Sequence, residues 1–285
     1  MENLYNETKF IMKKYGITAN KSLGQNFLIS DEVVNSIVTS AEISKNDLVI
    51  EIGPGLGTLT KELLEKAGKV VCIELDKNML TILNDRFSLY SNFKLINDDV
   101  LKVDLKSLIS EEKEKNNLSN VKIVANLPYY ITTPIIMKLL EEHLDIDTIT
   151  VMIQKEVADR LISVPGTKNS GAITYSVYYY AESEKVIDVP NNSFIPEPEV
   201  TSSVIKLTLR DSAPIEVKDE DVLFKLIKAA FMQRRKTLIN GLSNSNLFSS
   251  KEEIKTILVK LNLDEKVRGE NLSLQDFANI ANMIK

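Results

Sequence analysis

The sequence predicts an α/β protein, a doubly wound, mostly parallel sheet followed by a smaller all-helical domain. Three observations predict it. Short apolar, β-branched runs alternate with segments of helical spacing, the pattern of βα units that build a parallel sheet. Several runs end abruptly at glycines, acids or an amide, where open α/β folds place their ligands. After Arg210 the strand signal disappears and helical spacing continues to the end, so the expected domains are 1-210 and 211-285.

Taken in order, Leu4 to Lys14 reads as a short amphipathic helix, followed by the irregular K-S-L-G-Q-N-F-L. Ser30 and Asp31 are plausible caps for a helix whose Val33, Val34, Ile37 and Val38 share one face. Leu48–Ile52 is the first expected strand and runs into G-P-G-L-G, with a helix from about Thr58 to Lys66. Val70–Leu75 and Phe93–Asn97 follow as strands, with a helix to about Phe87 between them. Ser107–Asn120, with E-E-K-E-K-N-N, reads as a polar surface excursion. Val121–Ala125 is the fourth strand, Thr132–Glu142 a helix, Ile146–Ile153 the fifth strand and Lys155–Ile162 a helix. Ala172–Tyr180 and Ser202–Leu209 are the last expected strands, separated by the proline-rich N-N-S-F-I-P-E-P-E-V.

The composition bounds the chemistry. Hydrophobic residues make up 44% and charged residues 26%, with no apolar run long enough to span a membrane. The lone Cys72 sits in an apolar run, fits a reducing cytoplasm and reads as a buried small hydrophobe. The lone His143 stands beside Glu141 and Glu142 and is expected at the surface. Imidazole triads and His/Cys metal clusters are therefore excluded, and no metal is expected. The net charge of −5 hides two basic clusters. Phe224–Asn240 holds five basic residues and no acid, and Lys9, Lys13, Lys14 and Lys21 gather in the N-terminal arm. Two such clusters on an acidic chain point to a surface that meets phosphates.

The motifs lie at successive strand ends. E-I-G-P-G-L-G-T-L-T, Glu51 to Thr60, fails the dinucleotide pattern G-x-G-x-x-G, because the sixth position from Gly53 is Thr58. An acid two residues before G-x-G-x-G better suits a nucleoside without a pyrophosphate. Gly53 and Gly55 allow close backbone approach there. Glu74, 21 residues after Gly53, stands where an acid accepts from ribose hydroxyls. Asp99 stands where a carboxylate accepts from an adenine amino group. In V-K-I-V-A-N-L-P-Y-Y-I-T-T-P, Pro128 ends the ladder because it has no N–H. That leaves the Asn126 amide, the Leu127 carbonyl and the Tyr129 ring for a flat base with an exocyclic amine.

Together these stretches resemble the class I S-adenosylmethionine-dependent methyltransferases, and Asn126–Tyr129 is similar to their N/D-P-P-Y/F motif for exocyclic amines. More narrowly the chain resembles the ribosomal RNA adenine dimethyltransferases, through K-S-L-G-Q-N-F-L, N-L-P-Y-Y-I-T-T-P-I-I, F-I-P-E-P-E-V-T-S-S-V and F-M-Q-R-R-K-T-L-I-N-G-L. Within that family it looks like the branch that dimethylates two adjacent adenines near the 3′ end of small-subunit rRNA. The macrolide-resistance branch, acting on large-subunit rRNA, shares the sheet motifs but lacks L-G-Q-N-F-L and Q-R-R-K-T-L in this form.

The resemblance implies S-adenosyl-L-methionine as cofactor, with Asn26 and Leu28 closing its methionine end. It puts Gly53 against the cofactor backbone, Glu74 on the ribose, Asp99 on the adenine and Asn126 near the methyl donor. Asn126 and Leu127 are expected to hold the target amine and Tyr129 to stack on the base. Phe194 is expected on the opposite face, with core filling as the competing reading. Arg234, Arg235, Lys236 and Lys21 are expected on RNA phosphates. The implied partner is small-subunit rRNA in a pre-assembled subunit, met by a cytoplasmic monomer. An assembly factor acting mainly by binding, and a large-subunit enzyme, are the alternatives.

Overall fold

A computed structural model of the chain describes residues 3–20, 23–243 and 245–284. The chain divides into two compact units, Met1–Ala158 with Ser183–Leu209, and Asp159–Glu182 with Arg210–Lys285.

The first unit opens with α1 (Leu4–Tyr15), the two-residue β1 (Phe27–Leu28) and α2 (Asp31–Ser40). Ser30 caps α2, its hydroxyl accepting from the Val33 N–H at 3.4 Å, and the expected apolar face is buried. The βα series follows as β2 (Asp47–Ile52), α3 (Thr58–Lys66), β3 (Lys69–Glu74), α4 (Lys77–Phe87), β4 (Phe93–Asn97), α5 (Leu105–Asn116), β5 (Asn120–Asn126), α6 (Thr132–Glu141), β6 (Thr148–Gln154) and α7 (Lys155–Leu161). α8 (Ala172–Tyr180) precedes β7 (Ala181–Val189), β8 (Phe194–Ile195) and β9 (Ser202–Leu209).

The main sheet has the order β4-β3-β2-β5-β6-β9-β7. Strands β2 to β6 pair in parallel, and β9 runs antiparallel to β6. Every residue of β2 and β3 is buried, as expected for strands covered on both faces. The strand order reverses at β2, which has β3 on one side and β5 on the other. The carboxyl ends of these strands therefore open a crevice at a topological switch point.

Three expectations need correction. Ala172–Tyr180 has a strand-like aromatic and β-branched composition but folds as α8. Its Thr174 hydroxyl caps the start, accepting from the Gly171 N–H at 2.9 Å and donating to the Arg160 carbonyl at 2.7 Å. Tyr175 and Tyr179, one helical turn apart, fill the second unit's core, so packing overrides propensity. The polar excursion at 107–120 is largely α5, capped by Asp104, whose carboxylate accepts from the Ser107 N–H at 3.0 Å. Its thin apolar stripe, Leu105, Leu108 and Ile109, is buried beside Glu112, which pairs with Lys94 at 2.6 Å. The expected single boundary at 210/211 gives way to a division after Leu209, with Asp159–Glu182 grouped with the C-terminal unit.

That unit contains α9 (Glu220–Met232), α10 (Leu238–Leu242), α11 (Lys251–Lys260) and α12 (Leu274–Ala281). Its core gathers Tyr175, Leu226, Ile227, Leu258 and Phe277. The Tyr175 hydroxyl donates to the Leu272 carbonyl at 2.6 Å, so the buried phenol is satisfied. Among the described residues no helix is long and apolar enough to cross a membrane.

Candidate active site

The crevice is lined by the ends of β2, β3, β4 and β5 and by the segment from Leu23 to Leu28, all within the first unit. The turn after β2 builds its floor. Gly53, Gly55 and Gly57 all have left-handed backbones, with φ of 66°, 56° and 82°. At Gly57 a Cβ would also stand 2.3 Å from the Phe87 ring. At Gly53 nothing lies within 4 Å of a Cβ position, so its backbone borders open space.

Glu74, at the end of β3, is 6% exposed. Its Oε2 accepts from the Gly55 N–H at 3.1 Å and its Oε1 from the Asp76 N–H at 2.8 Å. Each oxygen keeps a lone pair beyond these bonds, and burial raises the carboxyl above its ordinary range. Asp99, after β4, accepts from the Leu101 N–H at 3.0 Å, which fixes its side chain in an Asx turn. A cradle of open backbone between two fixed acids fits a nucleoside, whose hydroxyls and amino group donate.

The acceptor end is built by β5. Pairing with β6 stops at Asn126↔Met152, so the Leu127 carbonyl lies beyond the ladder. The Leu127 N–H still donates to Met152 at 3.1 Å and holds the turn in place. Asn126 Nδ2 donates to the Asn26 carbonyl at 3.3 Å, which leaves Oδ1 as an acceptor. The Pro128 carbonyl accepts from the Ile131 N–H at 3.3 Å and from the Thr132 hydroxyl at 3.0 Å, folding Tyr129–Ile131 into a 3-10 turn. Tyr129 is half-buried, with its hydroxyl 2.7 Å from the Ser202 hydroxyl, and burial raises its pKa. The ring is thus held by its far end and stays neutral.

The crevice therefore gathers Asn26, Leu28, Gly53, Gly55, Glu74, Asp99, Asn126, Leu127 and Tyr129. Phe194 is not brought there. It is 2% exposed in the apolar core with Phe27 and Leu28, where β8 pairs antiparallel with β1 in the register Leu28↔Phe194. Its ring supports the strand beside the crevice and leaves no face free for a base. Arg234, Arg235 and Lys236 are exposed in the turn after α9 of the second unit, and Arg234 pairs with Glu270 at 3.1 Å. Lys21 lies outside the described residues.

Further residues join the site. Glu51, 1% exposed beneath the glycine turn, accepts from the Thr60 hydroxyl at 2.6 Å and from Cys72 Sγ at 3.4 Å. Burial pushes its carboxyl up to about 7, with the Glu74 charge adding to the effect. Gln25 donates to Asp76 at 2.7 Å, and Tyr130, 57% exposed, also lines the crevice. The acid ahead of the glycines, the L-G-Q-N-F-L stretch and the Tyr-Tyr doublet were the available signals for them. Among the described residues no group of three or more His, Cys, Asp or Glu could hold a metal ion.

Comparison with known proteins agrees with this chemistry. A family model for ribosomal RNA adenine dimethylases matches residues 16–285. Relatives include the ribosomal RNA small subunit methyltransferase A of Clostridioides difficile, 49% identical over 98% of this chain and 96% of its own length. That of Lachnoclostridium phytofermentans is 52% identical, with the same shares covered. Among solved structures, a dimethyladenosine transferase from Plasmodium falciparum matches with a TM-score of 0.74 at 28% identity, over 89% of this chain and 95% of that one. The 23S rRNA methyltransferase ErmE shares the fold with a TM-score of 0.67 at 22% identity, over 91% of this chain and 99% of that one. The chain belongs to the ribosomal RNA adenine dimethylase family.

Proposed function

We propose that this chain uses S-adenosyl-L-methionine to dimethylate N6 of two adjacent adenines in the 3′-terminal hairpin loop of small-subunit rRNA. The observation that carries the reading is the sharing of one crevice by the glycine turn with Glu74 and the Asn126–Tyr129 turn. The names of its near-full-length relatives support the small subunit over the large one.

When bound, the cofactor supplies a methyl group already activated by its sulfonium. Gly53 borders its backbone, Glu74 accepts from the ribose, Asp99 accepts from the adenine, and Asn26 and Leu28 close the methionine end. Asn126 Oδ1 and the Leu127 carbonyl accept the two hydrogens of the target amine. That arrangement pulls the nitrogen lone pair out of conjugation with the ring. Tyr129 stacks on the base, which must leave its own stack at a cost of a few kcal/mol, reduced in an unpaired loop. Positioning of this kind can supply ~7–11 kcal/mol of the barrier. Transfer leaves a positively charged, N-methylated nitrogen. That cation is acidic enough to lose its proton to the nearby oxygens or water, so no imidazole base is required.

Arg235, Lys236 and Lys21 contact phosphates in this reading, and Arg234 does so by exchanging Glu270 for RNA. The substrate is rRNA folded within a pre-assembled small subunit, and the protein works as a monomer in the cytoplasm. The test is transfer of labelled methyl to small subunits lacking the modification, with nucleoside analysis. Dimethyladenosine in small subunits, absent from large subunits and DNA, is the expected result. Label in large-subunit RNA, or subunit binding without transfer, would overturn the reading.

A further inference from the structure

The outer face of α1 carries chemistry that the crevice does not use. Tyr5, Lys9, Phe10, Lys13 and Lys14 are exposed there, with Phe10 at 66%, while Thr8 and Ile11 are buried on the inner face. The acids around the helix are already engaged. Glu7 turns inward to pair with Arg86 and, at 3.8 Å, with Lys61. Asp31 accepts from the Leu4 N–H at 3.3 Å, and Asp85 accepts from the Tyr15 hydroxyl at 3.0 Å. Among the described residues no carboxylate forms an ion pair with Lys9, Lys13 or Lys14. Lys9 and Lys14 instead sit over the rings of Tyr5 and Tyr15, 4.3 Å and 4.6 Å from their centroids. Lys9 and Lys13 thus stand without an ion-pair partner among the described residues, and Lys14 meets the Asp85 charge only through the Tyr15 hydroxyl. Together they concentrate positive charge on a chain of net charge −5.

The helix is also tied to the crevice. Arg86, which grips Glu7, donates its other guanidinium nitrogen to the Leu56 carbonyl in the glycine turn. α1 is therefore fixed beside the loop assigned to the cofactor, on the unit that carries the crevice.

We propose that this outer face of α1 is a second RNA-docking surface. Lys9, Lys13 and Lys14 take phosphates of the substrate RNA, and the exposed Phe10 ring stacks on an unpaired base. The proposal rests on the reading of the chain as an RNA methyltransferase.

The test compares the wild-type protein with the K9Q/K13Q/K14Q and F10A variants, binding to small ribosomal subunits across a salt series. Binding of S-adenosylhomocysteine by calorimetry is measured alongside. Loss of three phosphate contacts should flatten the slope of log affinity against log salt by about 2 to 3 and weaken low-salt binding at least ~10-fold. F10A should lose about fivefold or more without changing the slope. Cofactor-analogue affinity should stay within twofold for both variants. An unchanged slope in the triple variant overturns the proposal. Parallel loss of analogue binding also overturns it, by making the helix a support for the glycine turn. Vesicles of phosphatidylglycerol that bind the wild type but not the triple variant, with subunit binding unchanged in both, would assign the face to a lipid surface instead. Failure of the wild type to methylate any subunit would refute the underlying enzymatic reading, a separate and recognisable result.

Discussion

The two halves of the crevice are built to different tolerances. On the cofactor side, both Glu74 oxygens accept backbone N–H groups, Asp99 is locked in an Asx turn, and the intervening loop has left-handed glycines. On the acceptor side, the Asn126 side chain makes a single bond among the described residues, 3.3 Å to the Asn26 carbonyl, and the Leu127 carbonyl lies past the end of the ladder. A half that binds one constant molecule gains from rigidity. A half that must receive an amine, then a methylamine, needs acceptors that exchange partners easily. The contrast separates binding from chemistry along one sheet edge.

The cofactor half breaks most severely at Gly57. In Gly57→Ala the new Cβ meets the Phe87 ring and the backbone stays left-handed, so a loss of about 3 kcal/mol is expected by denaturant unfolding. Gly53→Ala sharpens the point, because its Cβ meets open space. It should cost only ~1–2 kcal/mol of stability while weakening cofactor-analogue binding in calorimetry.

Glu74→Gln comes next. It keeps the shape but removes the charge that accepts from the ribose, so KM for the methyl donor should rise roughly 10-fold with kcat at saturation nearly unchanged. An equal fall in kcat would dissolve the distinction between the halves.

Glu51 lies under the cofactor half and gives it a pH dependence. Folding raises its carboxyl from 4.5 to about 7, so the folded state holds the proton more tightly than the unfolded one. The resulting stability is fully present below about pH 4.5 and is lost as pH rises through about 7. Between pH 5.5 and 8, wild type should lose about 2 kcal/mol relative to Glu51→Gln in urea unfolding. The smallest effect is expected in the second unit. Reversing Arg235 and Lys236 should flatten the salt dependence of subunit binding by about 2 and leave cofactor-analogue affinity unchanged.

Much of this arrangement is legible in the sequence because parallel strands announce themselves as β-branched runs and their ends as polar punctuation. Glu74, Asp99 and Asn126 were readable for that reason. α8 was not, since A-I-T-Y-S-V-Y-Y-Y satisfies strand propensity and only the distant Leu223, Leu226 and Phe277 decide that Tyr175 and Tyr179 share a helix face. For Phe194 the sequence left base stacking and core filling both open, and its burial with Phe27 and Leu28 places it in the core. Glu51 stood in plain view ahead of the glycines, but its proton depends on burial that spacing does not express.

The most direct test of the division is Asn126→Ala, assayed for methyl transfer to unmodified small subunits and titrated in parallel with S-adenosylhomocysteine. The structure predicts that transfer falls by roughly 10²–10³, the scale for one preset polar group, while analogue affinity changes little. Transfer at the wild-type rate, or analogue binding lost along with it, would contradict the assignment of Asn126 to the acceptor half.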